Sequence, residues 1–165
     1  MSPRVATVAS ARVTPAVANG TSQSSIWCSA STRGDTRPGL ERRLVSGHSP
    51  YEGVAGFSRA VVVDGRVHVA GTAPIPPDGS PTPEGAYEQA VLCLRIIGEA
   101  LERAGSSLDH VVRTNIYVTD PAHWDGVARA HGEAFRETRP AATCVVARLL
   151  DEAWKVEIEA EAVLP

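Results

Sequence analysis

The chain has 165 residues, of which 43% are hydrophobic, so it is the size of one domain with a single core. Its formal net charge is -3, which leaves no broad basic field for phosphates, and no nucleic-acid partner is expected. The longest apolar runs, such as 61–63 and 91–94, fall far short of the roughly 20 residues that span a bilayer, so no membrane partner is expected.

Residues 1–40 are rich in Ser, Thr, Ala, Pro and Gly and show no sustained periodicity. This composition predicts a disordered tail. A targeting peptide and an over-extended translation start remain as alternatives, although the stretch lacks the continuous apolar core of a secretory signal. The folded domain is therefore predicted over 43–165.

The folded part begins with a short segment at 43–46 and an irregular loop rich in Gly and Pro. Two β-branched runs follow, at 60–63 and 66–70, and they are separated by Asp64-Gly65. This dipeptide supplies the positive φ angles of a tight turn, so the two runs predict a β-hairpin.

A loop and a helix come next. The prolines and glycines of 71–85 exclude both helix and inner strand. Between 84 and 105 apolar side chains recur every three or four residues, and Gly105 follows as a helix stop. The predicted apolar face consists of Tyr87, Ala90, Val91, Leu94, Ile97, Ala100 and Leu101.

The remaining elements are a strand, a second helix and two closing strands. β-Branched residues predict the strand at 111–118, and Asp120-Pro121 predicts the start of a helix that runs to about Arg136. A break at 139–140 follows. The closing strands are predicted at 143–149 and 154–163.

This order predicts an α+β fold, in which a single mixed sheet of about six strands carries two helices packed on one face. The other face is expected to keep many apolar residues, more than a sheet facing water normally keeps. Self-association is the simplest cover for it, because closed homo-oligomers are the commonest way to bury a repeated surface.

The last strand has one apolar and one acidic face, because its apolar residues alternate with Glu157, Glu159 and Glu161. The acidic face is either a solvated outer surface or the source of one carboxylate that enters a site. In a site, such a carboxylate could hold and activate a water molecule as a general base.

The cysteines and histidines give no sign of a metal site. Cys28, Cys93 and Cys144 are widely spaced and odd in number, which argues against a disulfide framework and predicts a reducing, cytoplasmic location. No two histidines have the spacing that would place two ligands on one helical face. Cys93 and Cys144 are both expected in the core, with a position facing a pocket left open for Cys144.

Three stretches carry a resemblance to a known family: RVHVAGTAPI, EQAVLCLRIIGEALERAGSSLDHVVRTNIYVTD and RPAATCVVARLLDEAWKVEIEAEAV. They resemble the Rid (YjgF) family, also labelled L-PSP endoribonuclease, in unbroken order over 43–163. The resemblance implies a chorismate-mutase-like fold and a homotrimer whose sheets line a central barrel, with small-molecule clefts between subunits. It also implies cofactor-independent hydrolysis of enamine and imine intermediates to keto acids with release of ammonia.

The resemblance assigns some cleft residues directly. Glu157 matches the glutamate that positions the attacking water. Gly71, with Thr72 beside it, and Cys144 match positions whose backbone groups face the ligand. Ala142 stands where the family has an arginine that grips the substrate carboxylate as a two-pronged fork, and alanine offers no donor in exchange.

Other matched positions also depart from the family pattern. Phe57 stands where the family often has a tyrosine, and Ala128 where it often has an asparagine, so the pocket is expected to be more apolar. Arg59 has two interpretations: it supplies an alternative anion contact near the cleft entrance, or it has a surface role.

The leading interpretation is a divergent Rid-type enzyme that processes a small imine or enamine, with Glu157 handling water. The alternative is a non-catalytic trimer that binds a small metabolite in the same clefts. Ribonuclease activity rests on the family label, and the acidic charge balance argues against it.

Overall fold

The computed structural model describes residues 41–49 and 51–165, and the predicted tail at 1–40 lies outside the described residues. The elements follow in chain order as β1 (Arg42–Val45), α1 (Glu52–Ala55), β2 (Ala60–Val63), β3 (Arg66–Thr72), α2 (Ala86–Ala104), β4 (Val111–Val118), α3 (Trp124–Ala134), β5 (Ala141–Val146) and β6 (Val156–Val163).

The six strands form one mixed sheet in the order β1-β2-β3-β6-β4-β5. Neighbouring strands are antiparallel except β4 and β5, which run parallel and are connected through α3. Helix α2 packs on β2, β3 and β6, and α3 packs against α2. The predicted α+β fold is therefore confirmed for the single chain.

The β2–β3 hairpin forms as predicted. Asp64 and Gly65 both have positive φ angles, of 50° and 71°, and Val63 pairs with Arg66 on either side of them. Two central residues with positive φ give the type I′ turn whose twist matches that of the flanking strands.

Helix α2 supplies more core residues than any other single element and ends at Gly105, which adopts the left-handed conformation with φ of 84°. Most of the predicted apolar face is buried, but Val91 is 42% exposed, so its assignment to that face was wrong. It lies at the edge of a stripe that is centred on Ala90, Cys93, Leu94, Ile97, Ala100, Leu101 and Ala104. No helix in the part of the chain that the structure describes is long and apolar enough to cross a membrane.

The face without helices is more polar than the sequence predicted. The apolar residues of β6 point toward the helices, which leaves Glu157, Glu159 and Glu161 on the other side. Apolar side chains on that side lie toward the sheet edges, where Leu44 is 57% and Val145 45% exposed. The prediction of many apolar residues on this face was therefore wrong for the centre of the sheet.

Two boundaries differ from prediction for identifiable reasons. Strand β5 ends at Val146 because its partner strand β4 ends at Val118. The Asp120 carboxylate accepts a hydrogen bond of 2.7 Å from Ala122 N, but this cap begins a 3-10 turn that precedes α3.

A short helix, α1, was not predicted, because its segment was interpreted as irregular. Gly56, with φ of 71°, ends this helix after one turn.

Gln89 joins two loops through one buried amide. Its Nε2 donates to the carbonyls of Pro83 and Ala153 at 2.7 and 2.8 Å, and its Oε1 accepts from Lys155 N at 2.7 Å. The side chain therefore ties the loop before α2 to the loop before β6.

Replacing Gln89 with leucine is expected to lower the free energy of unfolding by about 2–4 kcal/mol, because buried backbone groups would lose their partners. Urea denaturation measures this change. The control is Val91→Ala on the same helix, where the exposed side chain predicts a change within about 0.5 kcal/mol. A loss of stability for Gln89→Leu no larger than for the control would contradict the proposed tie.

Candidate functional site

A cavity of about 620 Å³ lies beside the end of β3, the start of β6 and the segment that leads into β2. Five of the seven residues assigned from the sequence line it. They are Phe57, Arg59, Gly71, Thr72 and Glu157.

A β-bulge in β3 shapes one wall of this cavity. Pairing with β6 is regular up to Val69 and resumes at Thr72. Between these two pairs, β6 contributes one residue fewer than β3. Ala70 and Gly71 are the residues at the irregularity. Bulges bend a strand and redirect its groups, and here the carbonyls of Ala70 and Gly71 accept hydrogen bonds from Arg59.

Arg59 is a wall residue of the cavity and is only 7% exposed, so the surface role considered for it was wrong. Its Nη1 donates to Gly71 O at 3.0 Å, to Thr72 Oγ1 at 2.8 Å and to Ala70 O at 3.3 Å. Burial lowers the pKa of the guanidinium, and the nearby carboxylates of Glu52 and Glu157 act in the opposite direction. These hydrogen bonds from the charged side chain of Arg59 stabilise the bulge.

Glu157 lies directly against the bulge. A Cβ atom on Gly71 would collide with Oε1 of Glu157, so the carboxylate occupies space that only glycine leaves open. Partial burial raises the pKa of Glu157, Glu159 raises it further, and Arg59 acts to lower it. A carboxylate whose pKa is raised in this way is suited to accept a proton from water.

Glu159 links this cavity to a smaller one of about 140 Å³ on the helix-free face, which His68, Arg113 and Asn115 also line. Asn115 Nδ2 donates to Glu159 Oε2 at 3.1 Å, which fixes that carboxylate between the two cavities. Among residues 41–49 and 51–165, no three His, Cys, Asp or Glu side chains are grouped to hold a metal ion.

The other two assigned residues, Ala142 and Cys144, lie elsewhere. Both are exposed on β5, and neither lines the cavity. Cys144 is in register with Thr72 across β4 and β6, at a distance of three strand spacings or about 14 Å. Within one chain, this side of the predicted cleft is therefore not assembled.

The core prediction is confirmed for Cys93 and wrong for Cys144. Cys93 is fully buried, and burial raises the pKa of its thiol. Cys144 is exposed, as are the other five residues of β5. Cys28 lies outside the described residues. Ala128, on α3, is half-buried and does not line the larger cavity.

Most of the apolar cavity wall was not predicted from the sequence. Tyr51, Ile75 and Trp154 line it from three different segments, two of them interpreted only as loops. A signal was present in Ile75, an apolar residue within a stretch of prolines that follows directly after Gly71-Thr72.

Replacing Glu157 with glutamine is expected to stabilise the protein at neutral pH. Because the pKa of Glu157 is raised on folding, its ionised form destabilises the folded state above the folded pKa, and this effect disappears below the unfolded pKa. The group is half-exposed, so the expected rise in Tm is only about 1–3 °C at about pH 8 and near zero at about pH 4. Thermal unfolding followed by circular dichroism measures the difference.

The control for this prediction is Glu161→Gln. It removes the same charge from the same face of β6 but lies outside the larger cavity. An equal gain in the two variants would mean that net charge, rather than the environment of Glu157, determines the effect.

Comparisons with known proteins match the region that forms this fold. The family model described as Endoribonuclease L-PSP matches residues 47–164. An uncharacterized protein of Streptomyces coelicolor is 36% identical over 122 residues, which cover 73% of this chain and 90% of that protein. A 2-iminobutanoate/2-iminopropanoate deaminase of Capra hircus is 30% identical over 125 residues, which cover 75% of this chain and 91% of the deaminase.

A solved structure gives the same result. A member of the YjgF/YER057c/UK114 family from Mycobacterium tuberculosis aligns with a TM-score of 0.68 and 38% identity, covering 75% of this chain and 100% of that chain. Since the family model and these relatives match the segment that forms the sheet and its helices, the chain belongs to the YjgF (Rid) family.

Proposed function

We propose that this protein hydrolyses a small imine or enamine in a cleft that a second subunit completes, with Glu157 positioning and activating the water. The observation that carries the proposal is the half-buried Glu157 carboxylate, which faces a large cavity beside Gly71 and has a raised pKa. The 30% identity to a 2-iminobutanoate/2-iminopropanoate deaminase supports the reaction class.

The chemistry requires one group that can take and return a proton. Water attacks the imine carbon while Glu157 accepts a proton from it, and the same proton can then be delivered to the departing nitrogen. A raised pKa favours both halves of this exchange near neutral pH. Arg59 limits the rise in the pKa of Glu157.

The exposed edge strand supports assembly from several copies. All six residues of β5 are exposed, including Val145 at 45% and Val146 at 58%. An apolar, unpaired edge is a site of self-association unless something covers it. The family resemblance implies three copies, and β5 of one copy would then bring Ala142 and Cys144 to the cavity of the next.

Glu157→Gln is expected to lower kcat/KM for imine hydrolysis about 100-fold or more, because glutamine cannot accept the proton. Gly71→Ala is expected to lower it about 10-fold, because the added methyl group displaces the carboxylate. Imines are generated in place from 2-amino acids or amines by flavin-dependent oxidases, and their removal is measured in competition with semicarbazide.

The control for Gly71→Ala is Gly132→Ala. Gly132 lies in α3, and a Cβ atom there would meet nothing within 4 Å. This variant is expected to retain full activity. Undiminished activity in Glu157→Gln would remove the proposed base.

Val146→Glu is expected to reduce the sedimentation coefficient of the protein to that of a single chain, because it places a charge on the proposed contact strand. The control is Val91→Glu, the same change on the exposed side of α2, which should leave the assembly intact. A wild-type protein that sediments as a single chain would contradict the shared cleft.

A second candidate function is binding without turnover, which the missing donor at Ala142 favours. A ligand that is only bound would raise Tm in proportion to its concentration without being consumed. Imine removal above the rate in buffer excludes this candidate.

A further inference from the structure

The larger cavity has a distinct chemical character that bears on its substrate. Its wall is built mainly from aliphatic and aromatic side chains, namely Tyr51, Phe57, Ile75, Ile96, Leu150 and Trp154. Its volume of about 620 Å³ falls within the range of about 300–1,000 Å³ that is typical of small-molecule sites.

Several of these side chains are exposed to water. Tyr51 is 60% exposed, Ile75 is 41% exposed and Leu150 is 96% exposed. A ligand with an apolar body would remove this surface from water, which is a favourable change roughly proportional to the apolar area covered. A small polar ligand would gain little from it.

The charges that line the cavity offer no excess of positive charge. The formal charges of two arginines, Arg59 and Arg103, are balanced by those of two glutamates, Glu157 and Glu159, with His48 also in the lining and counted as neutral. An incoming carboxylate would therefore meet two like charges, one of them the proposed catalytic group. Repulsion by these like charges makes the binding of an anion less favourable.

Both arginines already donate to protein oxygens. Arg59 Nη1 donates to the bulge, as described above, and Arg103 donates from Nη1 to Ser46 O at 2.8 Å and from Nε to Glu99 O at 3.2 Å. A two-pronged grip on a carboxylate needs two free parallel N–H groups held in a fixed plane. A grip that uses Nη1 of either arginine would break these internal bonds.

From these observations we infer that the preferred substrate is an imine with an apolar aliphatic or aromatic body and no carboxylate, R–CH=NH. This inference rests on the proposed hydrolytic function. The Glu157 carboxylate and the aromatic walls would also favour the protonated, cationic form of such an imine.

The reaction balances without an oxidant or cofactor. Water oxygen bonds to the imine carbon, the π electrons of C=N move to nitrogen, and one water proton passes through Glu157 to that nitrogen. The hydroxyl proton of the resulting carbinolamine then passes by way of Glu157 to the nitrogen as the C–N bond breaks. The electron pair of that bond leaves with nitrogen, the electron pair of the O–H bond forms C=O, and R–CH=NH and water give R–CHO and NH₃.

A matched pair of substrates tests the inference. Flavin-dependent monoamine oxidase converts 2-phenylethylamine to an imine without a carboxylate, and L-amino-acid oxidase converts phenylalanine to the imine of the same body with a carboxylate. We expect kcat/KM for the carboxylate-free imine to exceed that for the imino acid about 10-fold or more. Equal or reversed preference would overturn the inference and leave the proposed function standing, whereas no removal of either imine would overturn the proposed function.

A charge placed at the cavity rim provides the second measurement. Ile75→Lys should shift the preference toward the imino acid about 5-fold or more, because it adds an uncompensated cation beside the ligand. Ile75→Met keeps the apolar surface and should keep the preference. If Ile75→Lys turns over both imines with the wild-type ratio, charge in this cavity does not select the substrate and the inference is wrong.

Discussion

The register of β6 is the constraint on which the rest of the structure depends. This strand lies between β3 and β4, and its alternation sends Val156, Ile158, Ala160 and Ala162 into the core while three glutamates take the opposite side. A slip of one residue would place carboxylates against α2 and would be opposed by the full cost of burying charge. The same alternation that closes the core therefore also fixes the position of Glu157.

The second determinant of the site is the irregularity in β3. A regular ladder would direct the backbone groups at Ala70 and Gly71 along the sheet, whereas the bulge turns two carbonyls toward Arg59. The guanidinium of Arg59 thus holds the backbone of the bulge in place. The Glu157 carboxylate lies against Gly71, where there is no side chain. The Glu157 carboxylate is partly removed from water as a result, which is unfavourable for folding of the ionised form and raises the pKa of this group.

Local sequence rules predicted the elements well and the site only in part. The Asp64-Gly65 turn and the Gly105 helix stop depend on neighbouring residues alone, so residue type was enough to predict them. The end of β5 depends on the length of a partner strand, and the bulge depends on the register between distant segments. The spacing of apolar residues along the sequence predicts neither of these features. The alternation in the last strand predicted an acidic face, and the family resemblance then selected Glu157 from it and assigned Phe57 and Gly71 to the cleft. The apolar wall was missed because Ile75 and Trp154 are far apart in sequence.

Gln89 has a consequence for how molecules reach the cavity. It joins the Pro83 carbonyl to the backbone at Ala153 and Lys155, and the two loops that carry these groups also carry cavity residues, such as Gly79 and Trp154. Neither side can swing outward alone while this amide keeps its bonds. Admission of a bulky ligand must therefore move both loops together or break the hydrogen bonds of the amide first, so Gln89 controls access to a cavity that its own side chain does not line.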